Sequence, residues 1–270
     1  MSWWGKVAGG AFGFMLGGPL GALLGAVVGH NLDKGLGGLD RGEQFAPGDR
    51  ERVQTAFFTA TFSVMGSIAK ADGKVSRDEI ALAKAVMDQM DLDAGMRKTA
   101  INLFNQGKQG TFPLDEVLEQ FRRECHRRNT LIQMFIEIQL QAAYADGRLD
   151  SAEERLLLHI CNQVGIPEFA FRRLQKMIEA ERHFGGGAGA GRHGAPEPKG
   201  PTLTDAYAIL GISRESGDAE VKRAYRRLLS QHHPDKLVSK GLPEEMMKMA
   251  AQKTHEIRQA YVKIRESRGF

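Results

Sequence analysis

The chain has 270 residues, with 37 Lys+Arg against 33 Asp+Glu and a net charge of +4. Charges this balanced argue against a basic nucleic-acid coat and against an acidic disordered chain, while 42% hydrophobic residues suffice for folded cores. The two cysteines, Cys125 and Cys161, make no C-x-x-C pair, which excludes a disulfide-stapled secreted domain and fits a reducing compartment. Of 32 glycines, 21 lie in residues 5–48 and 185–200. The sequence therefore divides into a glycine-rich head, a globular middle, a glycine-rich linker and a globular tail.

In the head, no residue between Lys6 and His30 is charged. As one helix, Val7–Gly29 would be about 34 Å long, enough to cross a bilayer with some tilt. Trp3 and Trp4 precede it, where interfacial aromatics sit. Gly9, Gly13, Gly17, Gly21, Gly25 and Gly29 recur every fourth residue, a stripe that lets two helix backbones approach in lipid. The expectation is a membrane anchor over 1–30 that self-associates through this stripe, followed by a juxtamembrane segment over 31–49. Lys34, Arg41, Arg50 and Arg52 outnumber Lys6 across the span, so the positive-inside rule puts the C-terminal bulk in the cytoplasm and the short N-terminus outside. Pro19 leaves a second possibility open, a glycine-packed hairpin broken at that residue.

Residues 50–184 read as all-helical. Apolar residues recur at helical spacing, and Gly and Pro fall at the breaks. Helices are expected near 50–70, 77–90, 94–106, 113–127, 130–145, 151–164 and 168–183. Ala69–Glu79 and Ala143–Glu153 repeat one design at an offset of 74 residues. In it Gly73 or Gly147 ends a helix, and Ser76 or Asp150 caps the next with Glu79 or Glu153 as reciprocal partner. The alternative use of Asp72, Glu79, Asp146, Asp150 and Glu153 is a site for a hard cation, although glycine directly after the first Asp is not the EF-hand order. Cys125–His126 and His159–Cys161 have too few partners for a metal. They read as buried thiols with surface or capping histidines. The stripe Leu131, Met134, Phe135, Ile138 and Ala142 reads as core. The A-D-G repeat on a helical background resembles the TerB-like (tellurite-resistance-type) family. That likeness implies a helical bundle in which some acidic positions are associated with metal.

Residues 185–201 have no large apolar side chain and are expected to form a flexible tether. The tail, 202–270, holds 13 Lys+Arg and 9 Asp+Glu, while the rest of the chain balances at 24 of each. Thr204 or Asp205 is expected to cap a short helix closed by Gly211. A second helix follows Asp218, with Val221, Ala224, Tyr225, Leu228 and Leu229 on one face and Lys222, Arg223, Arg226 and Arg227 on the other. His233-Pro234-Asp235 should form a loop, because proline disfavours helix at the residue before it. A third helix is expected from about Pro243 to Glu266. Acids interrupt the basic tail and no base-reading element follows, so nucleic acid is not an expected partner. A hydrolytic site at His232, His233 and Asp235 lacks a completing cluster.

Four segments carry a resemblance: D-A-Y-A-I-L-G-I at Asp205–Ile212, K-R-A-Y-R-R-L at Lys222–Leu228, H-P-D-K at His233–Lys236 and E-I-R-Q-A-Y at Glu256–Tyr261. In order and spacing they are similar to a J domain of the DnaJ family. The resemblance implies that His233, Pro234 and Asp235 form the loop that stimulates ATP hydrolysis by a DnaK-type chaperone. It also implies that Lys222, Arg223, Arg226 and Arg227 dock that chaperone. No Gly/Phe-rich segment and no cysteine repeats follow, unlike a general DnaJ protein. Anchor, TerB-like middle and C-terminal J domain together resemble the membrane-anchored DnaJ-like co-chaperones of Gram-negative bacteria. That resemblance implies an all-α, single-pass inner-membrane protein, dimerised through its span, with no cofactor and no catalysis of its own. The other expectation for the same sequence is a membrane-bound metal-responsive adaptor acting through the middle domain.

Overall fold

The structure, a computed structural model, describes residues 17–32, 49–71, 77–90, 92–126, 128–144, 148–185, 202–243 and 246–270. The described elements are helices: α1 (Gly18–Leu32), α2 (Asp49–Ile68), α3 (Arg77–Gln89), α4 (Ala94–Gly107), α5 (Leu114–Glu124), α6 (Asn129–Ala143), α7 (Ser151–Val164), α8 (Glu168–Gly185), α9 (Leu203–Leu210), α10 (Asp218–His232), α11 (Pro234–Ser239) and α12 (Met247–Arg268). They form two compact units. One comprises Met1–Ile166 with Val238–Met247, the other Pro167–Leu237 with Lys248–Phe270.

In the first unit α2 is the central element. It is buried almost all round from Val53 onward, taking Gln54, Thr55, Thr59, Thr61 and Ser63 inside along with its apolar residues, and Phe57, Phe58 and Phe62 are among the largest fully covered side chains. Phe57 meets Phe121 of α5 at 6.1 Å and Phe135 of α6 at 6.5 Å between ring centroids, and Phe121 and Phe135 close the triangle at 4.5 Å. Leu131, Met134, Phe135, Ile138 and Ala142 are all buried, as their spacing predicts. Between α2 and α4 the backbones touch. A Cβ on Gly66 would overlap the Phe104 carbonyl, and one on Gly107 would overlap that of Ser63. Ser67 Oγ donates to the Gly107 carbonyl at 3.0 Å across the same seam.

The ends of these helices follow local chemistry. Asp93 caps α4 by accepting from Met96 N at 2.8 Å. Asp150 caps α7, its carboxylate accepting from Ala152 N at 2.7 Å, while Glu153 Oε2 accepts from Asp150 N at 3.0 Å. Gly165 ends α7 in the left-handed region at φ 83°.

The head differs from the expected single helix over 7–29. Gly17 and Gly18 have φ of 57° and 60°, and α1 starts there, with Pro19 in its first turn, where a missing N–H costs nothing. Residues 1–16 lie outside the described residues. Leu20, Leu24 and Val27 of α1 are buried, and α1 packs against α2, α4 and α5. Gln120 of α5 holds its start: Oε1 accepts from Leu20 N and Nε2 donates to the Gly17 carbonyl, both at 2.8 Å. Among the described residues no helix is long and apolar enough to cross a membrane.

In the second unit α8 packs on α9, and Ala180 joins a core of Ala206, Tyr207, Ile209, Leu210, Val221, Leu228, Ile257, Ala260 and Ile264. Composition places the last helix of the middle domain before a boundary at 184/185. By packing, α8 groups with the tail in the compact unit that begins at Pro167. The expected tether, 185–201, lies beyond α8 and, apart from Gly185, outside the described residues.

Both thiols are buried, and burial pushes Cys125 and Cys161 from an ordinary 9.0 up to about 12. Neither should react with a thiol reagent at pH 8 until the fold is lost. Rapid labelling of the folded chain would refute this. The raised values also fix a sign. Unfolded thiols ionise above pH 9 while folded ones keep their protons, so their contribution to stability is complete below pH 9 and is lost as pH rises towards 12.

Candidate functional site

The candidate site is the turn between α10 and α11 with the exposed face of α10. Val221, Ala224 and Leu228 are buried, so the i, i+3/i+4 spacing forces Lys222, Arg223, Arg226 and Arg227 outward, and all four are exposed. Their surroundings differ. Lys222 Nζ sits 4.7 Å from the centre of the Phe270 ring, and Arg226 Nε donates to the Lys222 carbonyl at 3.3 Å. Arg223 and Arg227, one turn apart, make no hydrogen bond or ion pair among the described residues.

Helix α10 stops at His232. His233 is extended, with φ −63° and ψ 123°, because Pro234 bars helical backbone before it and then opens α11 as its first residue. The loop expected at Pro234 is thus a one-residue break between two helices. His232 is buried, whereas His233 and Asp235 are exposed and face each other at 3.9 Å between Nδ1 and Oδ2. Asp235 N–H donates to His233 Nδ1 at 3.3 Å. That bond uses the Nδ1 lone pair and leaves the proton of the neutral ring on Nε2. Lys236 Nζ donates to Ser230 Oγ at 2.6 Å, tying the turn back to α10.

The short helix before this site is capped by Thr202, not by Thr204 or Asp205. Thr202 Oγ1 accepts from Asp205 N at 3.1 Å, and Asp205 Oδ2 accepts from Thr202 N at 3.0 Å. Asp205 is thus the third residue of the capping box. Helix α12 starts at Met247, four residues later than Pro243, and runs to Arg268. Sequence reasoning passed over Arg268, which holds the site's frame together. It donates to Tyr207 Oη at 2.5 Å, to the Ser216 and Arg214 carbonyls at 2.6 Å each and to Asp218 Oδ1 at 3.0 Å. A lone arginine in a polar C-terminal turn carries no spacing signal that would single it out. Tyr225 and Tyr261, expected inward, stack at 4.0 Å.

Three family models match the chain in order: the co-chaperone DjlA transmembrane domain over residues 1–42, the tellurite resistance protein TerB over 58–176 and the DnaJ domain over 205–267. The co-chaperone protein DjlA of Yersinia pseudotuberculosis is 45% identical, with all of both chains covered. That of Photobacterium profundum is 44% identical over 99% of each chain, and that of Escherichia coli O157:H7 43% identical over all of both. The chain belongs to the DjlA family. No solved structure matches it.

The DjlA transmembrane match contains all six fourth-position glycines, but the structure treats them unequally. Gly9 and Gly13 lie outside the described residues, Gly17 precedes α1, and Gly21 is buried by the first unit of the same chain. Of the cation candidates, Asp72 and Asp146 also lie outside the described residues, as does the side chain of Glu79. Asp150 and Glu153 are committed to the α7 cap, which supports their structural reading. His159 Nε2 meets Asp115 Oδ1 at 2.5 Å as a surface pair. Among the described residues no cluster of three metal-ligating side chains occurs.

Proposed function

We propose that this DjlA-family chain is a membrane-anchored co-chaperone whose cytoplasmic J domain stimulates the ATPase of a DnaK-type chaperone and directs it to clients at the inner membrane. It activates a partner's catalysis and performs none itself. The observation that supports this most is the exposed His233–Pro234–Asp235 turn at the end of a helix that presents Arg223 and Arg227 without counter-ions among the described residues. Uncompensated cations steer and hold an acidic partner surface.

The test is single-turnover ATP hydrolysis by a DnaK-type chaperone with and without the full chain. Absence of stimulation would overturn the reading. Reversing Arg223 and Arg227 to Glu should cut stimulation about tenfold at low ionic strength, and added salt should weaken the unaltered chain in parallel. Salt-independent docking would count against steering.

In the same reading, two copies pair through the glycine-spaced head, with the short N-terminus outside and the bulk inside. Gly25→Leu tests the pairing on a half-buried α1 position away from the buried Gly21. It should lower self-association in a membrane reporter assay. An unchanged dimer signal would rule the stripe out.

A further inference from the structure

A second surface lies in the unit formed by α8, α9, α10 and α12, on residues the chaperone-activating turn does not use. Between α8 and the end of α9 is an open cleft of about 390 Å³. Its floor is Tyr207, Ala208 and Ile212, and its rim carries Arg173 and Lys176 from α8 and Arg214 from the loop after α9. Among the described residues no carboxylate lines it. All three cations are exposed, and their side chains make no hydrogen bond or ion pair among the described residues. Nearby Glu215 is turned onto the Ser213 hydroxyl.

Phe169 is 76% exposed, the most exposed large apolar side chain among the described residues. It stands on the same α8 face as Arg173 and Lys176, at i, i+4 and i+7. The cleft is also built rather than incidental. Ala180 of α8 is in the core, and Glu181 meets Lys253 at 2.5 Å with both side chains more than nine-tenths buried. Gly211, at φ 63°, ends α9 beneath the Arg173 side chain, whose Cδ lies 3.5 Å from where a Cβ would be.

We infer that this surface docks an acidic peptide segment that also carries an apolar side chain. Three uncompensated cations without an anion of their own call for carboxylates, and an exposed phenyl ring calls for an apolar contact. Seven residues of helix span about 10.5 Å. An extended peptide covers that in about three residues. The matching segment therefore places an apolar side chain about three positions from a pair of acids. A concave cleft admits such side chains, whereas a bilayer presents a plane.

The test uses the full chain in lipid nanodiscs. The probe is a fluorescein-labelled peptide of Asp and Glu with one Leu three positions from an acidic pair, read by anisotropy. Its counterpart with Lys in place of the acids should not bind. Arg173→Glu with Arg214→Glu should weaken binding at least about tenfold, and Phe169→Ser should weaken it severalfold. Lys98→Glu, an exposed cation on α4, should leave it unchanged. Arg173→Gln with Lys176→Gln, at exposed positions, repeats the test should the double reversal fail to fold. No binding of the acidic peptide, or binding indifferent to Arg173, Arg214 and Phe169, would overturn the inference. So would equal loss with Lys98→Glu. Vesicles containing phosphatidylglycerol form a separate arm. Variant-sensitive binding to vesicles but not to the peptide would reassign the surface to lipid and also overturn it.

Discussion

Replacing His233 with Gln should return the partner's ATP hydrolysis to its unstimulated rate while leaving this chain folded. The backbone at 233 is set by Pro234, which holds the residue extended whatever its side chain. The residues that anchor the turn, buried His232 and Leu237, are untouched. What the change removes is the half-exposed imidazole and its acceptance of the Asp235 N–H. A loss of at least about tenfold, worth ~1.4 kcal/mol of activation free energy, is expected in single-turnover hydrolysis. Pro234→Ala separates the two contributions. It keeps the imidazole but frees the backbone, so that α10 can run on through His233, and it should lose stimulation too. Full stimulation by His233→Gln would mean that the ring is not the element that acts. Stimulation kept by Pro234→Ala alone would mean that the break in the helix is dispensable.

Much of this was legible in the sequence because the signals are local. The apolar stripe of α10, the Asp150–Glu153 cap and the proline at 234 each act within about one helical turn, and each appears as expected. What escaped depends on distant partners. Arg268 matters because Tyr207, Ser216 and Asp218 come to it from residues 50 to 61 positions away. Composition groups helix α8 with the middle domain, since the glycine run starts after it, whereas it packs on α9, with Ala180 in the shared core, and pairs Glu181 with Lys253 of α12. In the head, the fourfold glycine register suggested one continuous helix. That register cannot reveal that Gly17 and Gly18 are left-handed, nor that Gln120 takes the Leu20 amide.

The same long-range limit hides the residues with the largest expected stability effect. Gly66 looks like an isolated glycine in a helical segment, where alanine is ordinarily worth about 1 kcal/mol in propensity, and Gly107 looks like the glycine that closes the helix expected over 94–106. On that ground alone Gly66→Ala would stabilise. The structure reverses the sign, because the new methyl group would overlap the Phe104 carbonyl, and one on Gly107 that of Ser63. These obstacles are backbone atoms of packed helices and cannot swing aside as a side-chain end can. Overpacking typically costs about 1–3 kcal/mol. Parting α2 from α4 also strains the Ser67 to Gly107 bond, so the clash outweighs propensity. Gly107→Ala should lower the melting temperature by about 2–4 °C per kcal/mol lost in a unit of this size, and Gly66→Ala by a similar amount. The two act on one seam, so the double variant should fall short of the sum. A melting temperature equal to or above that of the unaltered chain in either single variant would show that α2 and α4 are not in backbone contact.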